Sequence, residues 1–126
     1  MIGQTTGIEK SVKGTAAVAA YTIAKFGADD DTMSSATASS EELVAVFQHA
    51  TSAAGEEVRV MLEGITRLAL GGTVTRGGLI TSDANAKGVA IGAVAGTNYA
   101  VIGRALASGV SGDIIPMLLS PSRAQG

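Results

Sequence analysis

The fold is decided by the stretch Glu63–Ile91, "EGITRLALGGTVTRGGLITSDANAKGVAI". Two glycine pairs, at 71–72 and 77–78, interrupt it, and short runs of alternating apolar and polar residues lie around them. Alternation with a period of two is typical of strands, and glycine pairs between such runs mark tight turns. The stretch is therefore either a set of short strands joined by turns or a glycine-rich loop that binds phosphate.

The phosphate alternative fails on spacing. A phosphate loop needs backbone N–H groups at the start of a helix, followed by Lys and Ser or Thr. The segment "GGTVTRGG" fits neither the Walker pattern nor the dinucleotide fingerprint, and the strand-like "LIT" follows it. The segment "GIEKSVKGT", residues 7–15, has its glycine after the lysine. We interpret the glycines as turn residues between strands.

Strand patterns continue on both sides of this stretch. Residues 15–26, "TAAVAAYTIAKF", alternate and predict a strand, and residues 57–70 alternate with Gly64 placed as a bulge. Residues 39–50 fit either a helix or a strand, and we predict a short helical turn at Ser39–Glu42 that leads into a strand. Turn signals at intervals of roughly 8–12 residues predict a sandwich or a barrel.

Length and composition indicate one small domain. The chain has 126 residues, 46% of them hydrophobic but only 3% aromatic, so a core of small side chains would gain stability from association. We predict a mainly β, single-domain β-barrel or sandwich of short strands with at most one short helix. Residues 1–14 are predicted to form an extended N-terminal arm, and residues 15–126 the β-rich domain.

Charge and residue types exclude several partners. The formal net charge is −2 and no basic stripe is present, so we expect no direct contact with nucleic acid. The chain contains no cysteine and therefore neither a disulfide nor a thiolate metal site. The apolar run "TAAVAAYTIA" is about half the length that spans a bilayer, so we expect a soluble protein with no membrane contact.

Catalytic and metal-binding patterns are incomplete. His49 is the only histidine, and "GVSGD" around Ser111 falls short of a nucleophile elbow. The run Asp29–Asp31 lacks the spaced oxygen ligands of a calcium loop, and Asp83 with Asn85 lacks a closing carboxylate. We expect no catalytic residues, no metal and no cofactor, hence a protein that is not an enzyme.

The order of the segments carries a family resemblance. "GEEVRVMLEG" is followed by "GGTVTRGGLITSDANAKG" and then by "IGRALASGVSGDIIPMLLSP". This succession resembles the DUF2190-type family of tailed-phage capsid decoration, or structural cement, proteins. The matching positions are Gly55, Glu56, Val58, Val60, Leu62, Gly64, Gly71, Gly72, Val74, Gly77, Leu79, Thr81, Asp83, Ala84, Lys87, Gly88, Ile102, Gly103, Ala105, Leu106, Gly109, Gly112, Asp113, Ile114 and Pro121. Two departures are Ala86, where the family often has glycine, and the glycine pair at 77–78.

The resemblance implies a protein on the outer surface of a virion. It would bind the assembled capsid, bridge neighbouring major capsid subunits and stabilise the expanded, DNA-filled shell. Its expected partners are the major capsid protein and itself, as a homotrimer first and a dimer second. We predict that the arm reaches the neighbouring subunit, with contacts at Met1, Ile2, Gly3, Gln4, Thr5, Thr6, Gly7, Ile8, Glu9 and Lys10.

Two other function classes remain open at this stage. The first is a small β domain that binds a ligand or a host glycan on a virion surface, although the shortage of aromatic rings argues against a sugar site. The second is a hydrolase, against which the single histidine argues.

Overall fold

The computed structural model describes residues 5–92 and 98–125, and it contains nine strands and no helix within those ranges. The mainly β prediction is confirmed. The strands are β1 (Thr5–Gly14), β2 (Ile23–Phe26), β3 (Thr32–Ser35), β4 (Leu43–Phe47), β5 (Glu57–Ala69), β6 (Leu79–Ser82), β7 (Gly88–Ala90), β8 (Asn98–Ala105) and β9 (Ile114–Gln125).

Five strands close into a barrel in the order β1-β3-β2-β4-β5, and β5 pairs back onto β1. The β1–β3 pair is parallel and the other four pairs are antiparallel. Each of the five barrel strands contributes apolar side chains to the cluster that fills the barrel. Its buried members are Val12, Val18, Ala24, Met33, Ala45, Phe47, Val58 and Val60.

The long strand β5 belongs both to the barrel and to a second sheet. Val60 pairs with β1 and with β4, whereas Ile65 pairs with β1 and with Leu118 of β9. A strand has two hydrogen-bonding edges. Strand β1 pairs along one edge of β5, and β4 and then β9 pair along the other edge. The second sheet then continues from β9 through β8 and β6 to β7.

A larger apolar core lies between the barrel and the second sheet. Ile23, Val46 and Met61 come from barrel strands, and Met117 and Ile80 come from the second sheet. The second sheet therefore packs one face against this core, and its opposite face points away from the barrel.

The first strand coincides with most of the predicted arm. Residues 5–14 form strand β1, of which Thr5 and residues 8–13 pair with β5, and Val12 is buried in the barrel. Gly7 is required at a close approach, since a Cβ there would overlap the carbonyl oxygen of Glu63. Residues 1–4 lie outside the described residues. The division of the chain at residue 14 stays a prediction.

Two local predictions are wrong. The strand expected over residues 15–26 begins only at Ile23, because Tyr21 has a φ of 60° and donates its N–H to Phe47. Residues 39–42 form a turn and no helix, since the Glu41 carboxylate accepts the backbone N–H groups of Thr37 and Ala38. The polar signal before β4 therefore stabilises a turn.

Candidate interaction surface

The predicted contact residues fall on strand β1 where the structure describes them. Met1, Ile2, Gly3 and Gln4 lie outside the described residues, and Thr5 and residues 8–10 pair with β5, with an irregularity at Thr6 and Gly7. Ile8 is 57% exposed, and Glu9 and Lys10 are also exposed. The Glu9 carboxylate lies 3.1 Å from Nε of Arg59. We call Ile8, Glu9 and Lys10 the β1 surface.

Strand β9 presents apolar side chains on both of its faces. The run Ile114–Leu119 contains no polar side chain. Ile115, Met117 and Leu119 are buried in the core, whereas Ile114 and Leu118 are 54% and 41% exposed. A continuous apolar run is typical of a strand covered on both faces, but the described residues leave Ile114 and Leu118 exposed on the second face and bury only Pro116 there.

The side chains that point away from the core form cross-strand rows on the second sheet; most are exposed or half-buried, and Pro116 is buried. Arg104 of β8 pairs with Leu79 of β6 and with Leu118 of β9, and Leu118 pairs in turn with Ile65. In the next row Pro116 pairs with Arg67, and Ile114 pairs with Ala69 beyond it. We call this surface the outer face; it comprises Ile65, Arg67, Leu79, Arg104, Leu106, Ile114, Pro116 and Leu118.

The charged groups of the outer face are two arginines. The Arg67 guanidinium carbon lies 6.0 Å from the centre of the Tyr21 ring, and Arg104 donates from Nη1 to the Gly77 carbonyl at 2.6 Å. Neither forms an ion pair with a carboxylate among the described residues. Apolar side chains with unpaired arginines are the composition enriched in the centre of protein interfaces.

A groove of about 540 Å³ borders this face. Tyr21, Arg67, Ile114 and Pro116 line it, and Asp113 lies at its margin. Oδ2 of Asp113 accepts the Val110 N–H at 2.9 Å, so this carboxylate closes a turn. The groove offers a ring, a cation and apolar walls, which suit binding better than catalysis.

Two of the residues considered for catalysis and metal binding, His49 and Asp83, have structural roles. Nε2 of His49 accepts the backbone N–H of Arg59 at 3.2 Å, which places the ring proton on Nδ1. Oδ1 of Asp83 accepts the N–H groups of Asn85 and Lys87 at 2.8 and 2.9 Å. Over the ranges that the structure describes, no group of three metal-binding side chains occurs, and no helix is suited to cross a membrane.

The Glu41 carboxylate is the most strongly perturbed acid. Partial burial opposes its ionisation, but hydrogen bonds from Lys25 and from the backbone and side chain of Thr37 outweigh this effect and lower its pKa to about 2. Because these donors belong to the turn before β4 and to β2, the shift reflects structural support of the barrel.

The fold has a known counterpart. No family model and no curated protein matches the chain, so the resemblance to the DUF2190-type family stays a prediction. Among solved structures, this small β-barrel with an added sheet is similar to a virion component. That solved structure is the head fiber gp8.5 N base of bacteriophage phi29. The comparison with it gives a TM-score of 0.69 and 17% sequence identity. The match covers 94% of this chain and 98% of that chain.

The sequence reasoning missed the outer face. The run "IIPMLLS", residues 114–120, entered that reasoning through the family resemblance and not as a contact surface. The signal that could have revealed it was the lack of alternation in this strand. A strand with one solvent-exposed face should have a polar residue at every second position.

Proposed function

We propose that this chain is a phage head decoration protein that binds the outer surface of the assembled capsid, bridges neighbouring major capsid subunits and stabilises the expanded shell. The observation that carries the proposal is the similarity of fold, over 94% of the chain, to a head fiber base. The apolar outer face supports a role in assembly, since exposed apolar patches of this kind mark contact sites.

The mechanism is preferential binding to one state of the shell. A protein that binds only the expanded lattice stabilises that lattice by RT ln(1 + [L]/Kd), about 3–4 kcal/mol per site at 100–1,000 times Kd. Each copy that contacts more than one subunit adds avidity. Modest contacts, repeated over the shell, therefore suffice.

The proposed coat contact is the β1 surface together with residues 1–4. Ile8 supplies an exposed apolar side chain, and Lys10 a cation beside it. Both project from a strand that is held by its pairing with β5, so they form a preorganised surface. Self-association, as a trimer first and a dimer second, would present several such surfaces to the lattice at once.

The test is co-sedimentation with shells assembled from the major capsid protein of the same phage. The chain should pellet with expanded shells and stay in solution with compact precursor shells or free coat subunits. Removing residues 1–4 should weaken pelleting, as should Ile8→Glu and Lys10→Glu. Deleting all of residues 1–14 is unsuitable, because it removes β1 from the barrel.

Val110→Glu is the matched control, since Val110 is 54% exposed and lies away from the β1 surface. It should leave pelleting unchanged. A chain that binds none of the three coat states would contradict the proposal. Equal loss of binding in Ile8→Glu and Val110→Glu would contradict only the assignment of the contact to β1.

The alternative function, glycan binding, would need a surface on which aromatic rings stack against a sugar, and the described residues form no such surface. Sugar sites usually combine rings on one surface, whereas the two exposed or half-exposed rings, Phe26 and Tyr21, belong to separate surfaces. The Tyr21 ring already faces Arg67.

A further inference from the structure

We infer that the outer face is the self-association surface, and that it takes the acidic turn between β2 and β3 of a second copy of this chain. The inference rests on the self-association in the proposed function and adds to it the two surfaces involved. Its starting point is the outer face, where β9 has the composition of a doubly covered strand but leaves Ile114 and Leu118 exposed among the described residues.

The charges of the outer face determine what can cover it. Arg67 and Arg104 lie in adjacent rows of the sheet and lack a carboxylate partner among the described residues. Two acidic groups lie at the margin: Asp113 is engaged in its turn, and Glu63, which lines a separate cavity with Leu118, forms no ion pair with either arginine. The complementary surface must therefore combine an apolar side chain with carboxylates.

The chain itself carries such a surface at one turn. Phe26 is 62% exposed at the end of β2, the largest exposed fraction of any bulky apolar residue that the structure describes. Asp29, Asp30 and Asp31 follow it, and all three are exposed. Within the described residues, none of these carboxylates accepts a hydrogen bond or forms an ion pair, so their negative charges are available to a neighbour.

The contact must lie between different copies. The turn pairs with the barrel, through the Lys13 N–H to the Asp31 carbonyl, and has no pairing with strands β6, β8 or β9. Because one copy offers the outer face and the other offers the turn, the two surfaces differ. Such a heterologous contact closes into a ring when the rotation between copies allows it, which agrees with a trimer.

The test is sedimentation velocity of the full chain over a range of concentrations. The wild type should associate, and Leu118→Glu or the pair Arg67→Glu and Arg104→Glu should weaken association by about 10- to 100-fold, the effect of one to two lost interface contacts. Asp30→Lys with Asp31→Lys should weaken it similarly. Circular dichroism melts should show that these exposed positions leave the fold intact.

The decisive variant carries all four charge reversals in one chain. It should recover association, because its glutamates then face its neighbour's lysines. Ile8→Glu is the control and should associate like the wild type, while it weakens shell binding in the sedimentation test described above. The proposal is overturned if the wild type stays monomeric, if the single-surface variants associate normally, or if the four-fold reversal fails to recover association. Shell binding by a monomeric wild type would leave the proposed function standing and remove only this inference.

Discussion

Gln48 and Thr66 are joined by a buried hydrogen bond of 3.0 Å from Nε2 to Oγ1, at the point where the barrel meets the second sheet. The Gln48 amide also donates to the Val46 carbonyl at 3.0 Å. Thr66 lies on the part of β5 that pairs with β9, and Gln48 directly follows β4. This bond therefore joins the end of β4 to the part of β5 that pairs with β9.

Thr66→Val should destabilise the fold by about 1–3 kcal/mol, because the buried Gln48 amide N–H loses the Thr66 hydroxyl as a hydrogen-bond acceptor. The measurement is urea unfolding followed by circular dichroism. The exposed Thr73→Val is the matched control and should shift the unfolding free energy by less than about 0.5 kcal/mol. Equal stability of the two variants would show that the bond contributes nothing.

Gly7→Ala should destabilise the protein, since the added Cβ would overlap the Glu63 carbonyl and push β1 away from β5. We expect a loss of about 1–3 kcal/mol, the usual cost of overpacking at a rigid contact. Gly92→Ala is the control, because a Cβ there meets no atom within 4 Å among the described residues. If the two variants melt at the same temperature, the close approach of Gly7 to the Glu63 carbonyl is contradicted.

Glu41→Gln should lower stability at neutral pH by about 1–2 kcal/mol through the loss of charge-assisted hydrogen bonds to Lys25 and Thr37. The folded-state pKa of about 2 lies below the ordinary 4.5, so the carboxylate stabilises the fold above pH 4.5. That contribution disappears as the pH falls from 4.5 towards 2. The gap between wild type and variant in urea unfolding should therefore narrow over this range, and a constant gap would refute the assignment.

Thr81→Val should be neutral or should raise the melting temperature. The Thr81 hydroxyl is buried, and no hydrogen-bond partner for it lies among the described residues. Replacing it with a methyl group of the same shape removes a desolvated polar atom without loss of a bond. Differential scanning calorimetry measures the shift, and a clear decrease in melting temperature would indicate a partner for this hydroxyl.

The sequence predicted the strand content well, because the glycine pairs and the alternation around β5 are local signals. It could not predict that β5 pairs with three strands, since Val60 and Ile65 acquire their second partners from segments distant in the chain. The start of β2 was missed because the left-handed conformation of Tyr21 depends on its hydrogen bond to Phe47. The outer face could have been found from the unbroken apolar run of β9.

The proposed function places this chain on the exterior of an assembled phage head. Cryo-electron microscopy of expanded shells, with and without added chain, tests it most directly. The claim predicts additional density on the outer surface, at the junctions between coat subunits, into which the nine-stranded barrel and sheet can be fitted. Density inside the shell, or maps that are identical with and without the chain, would contradict it.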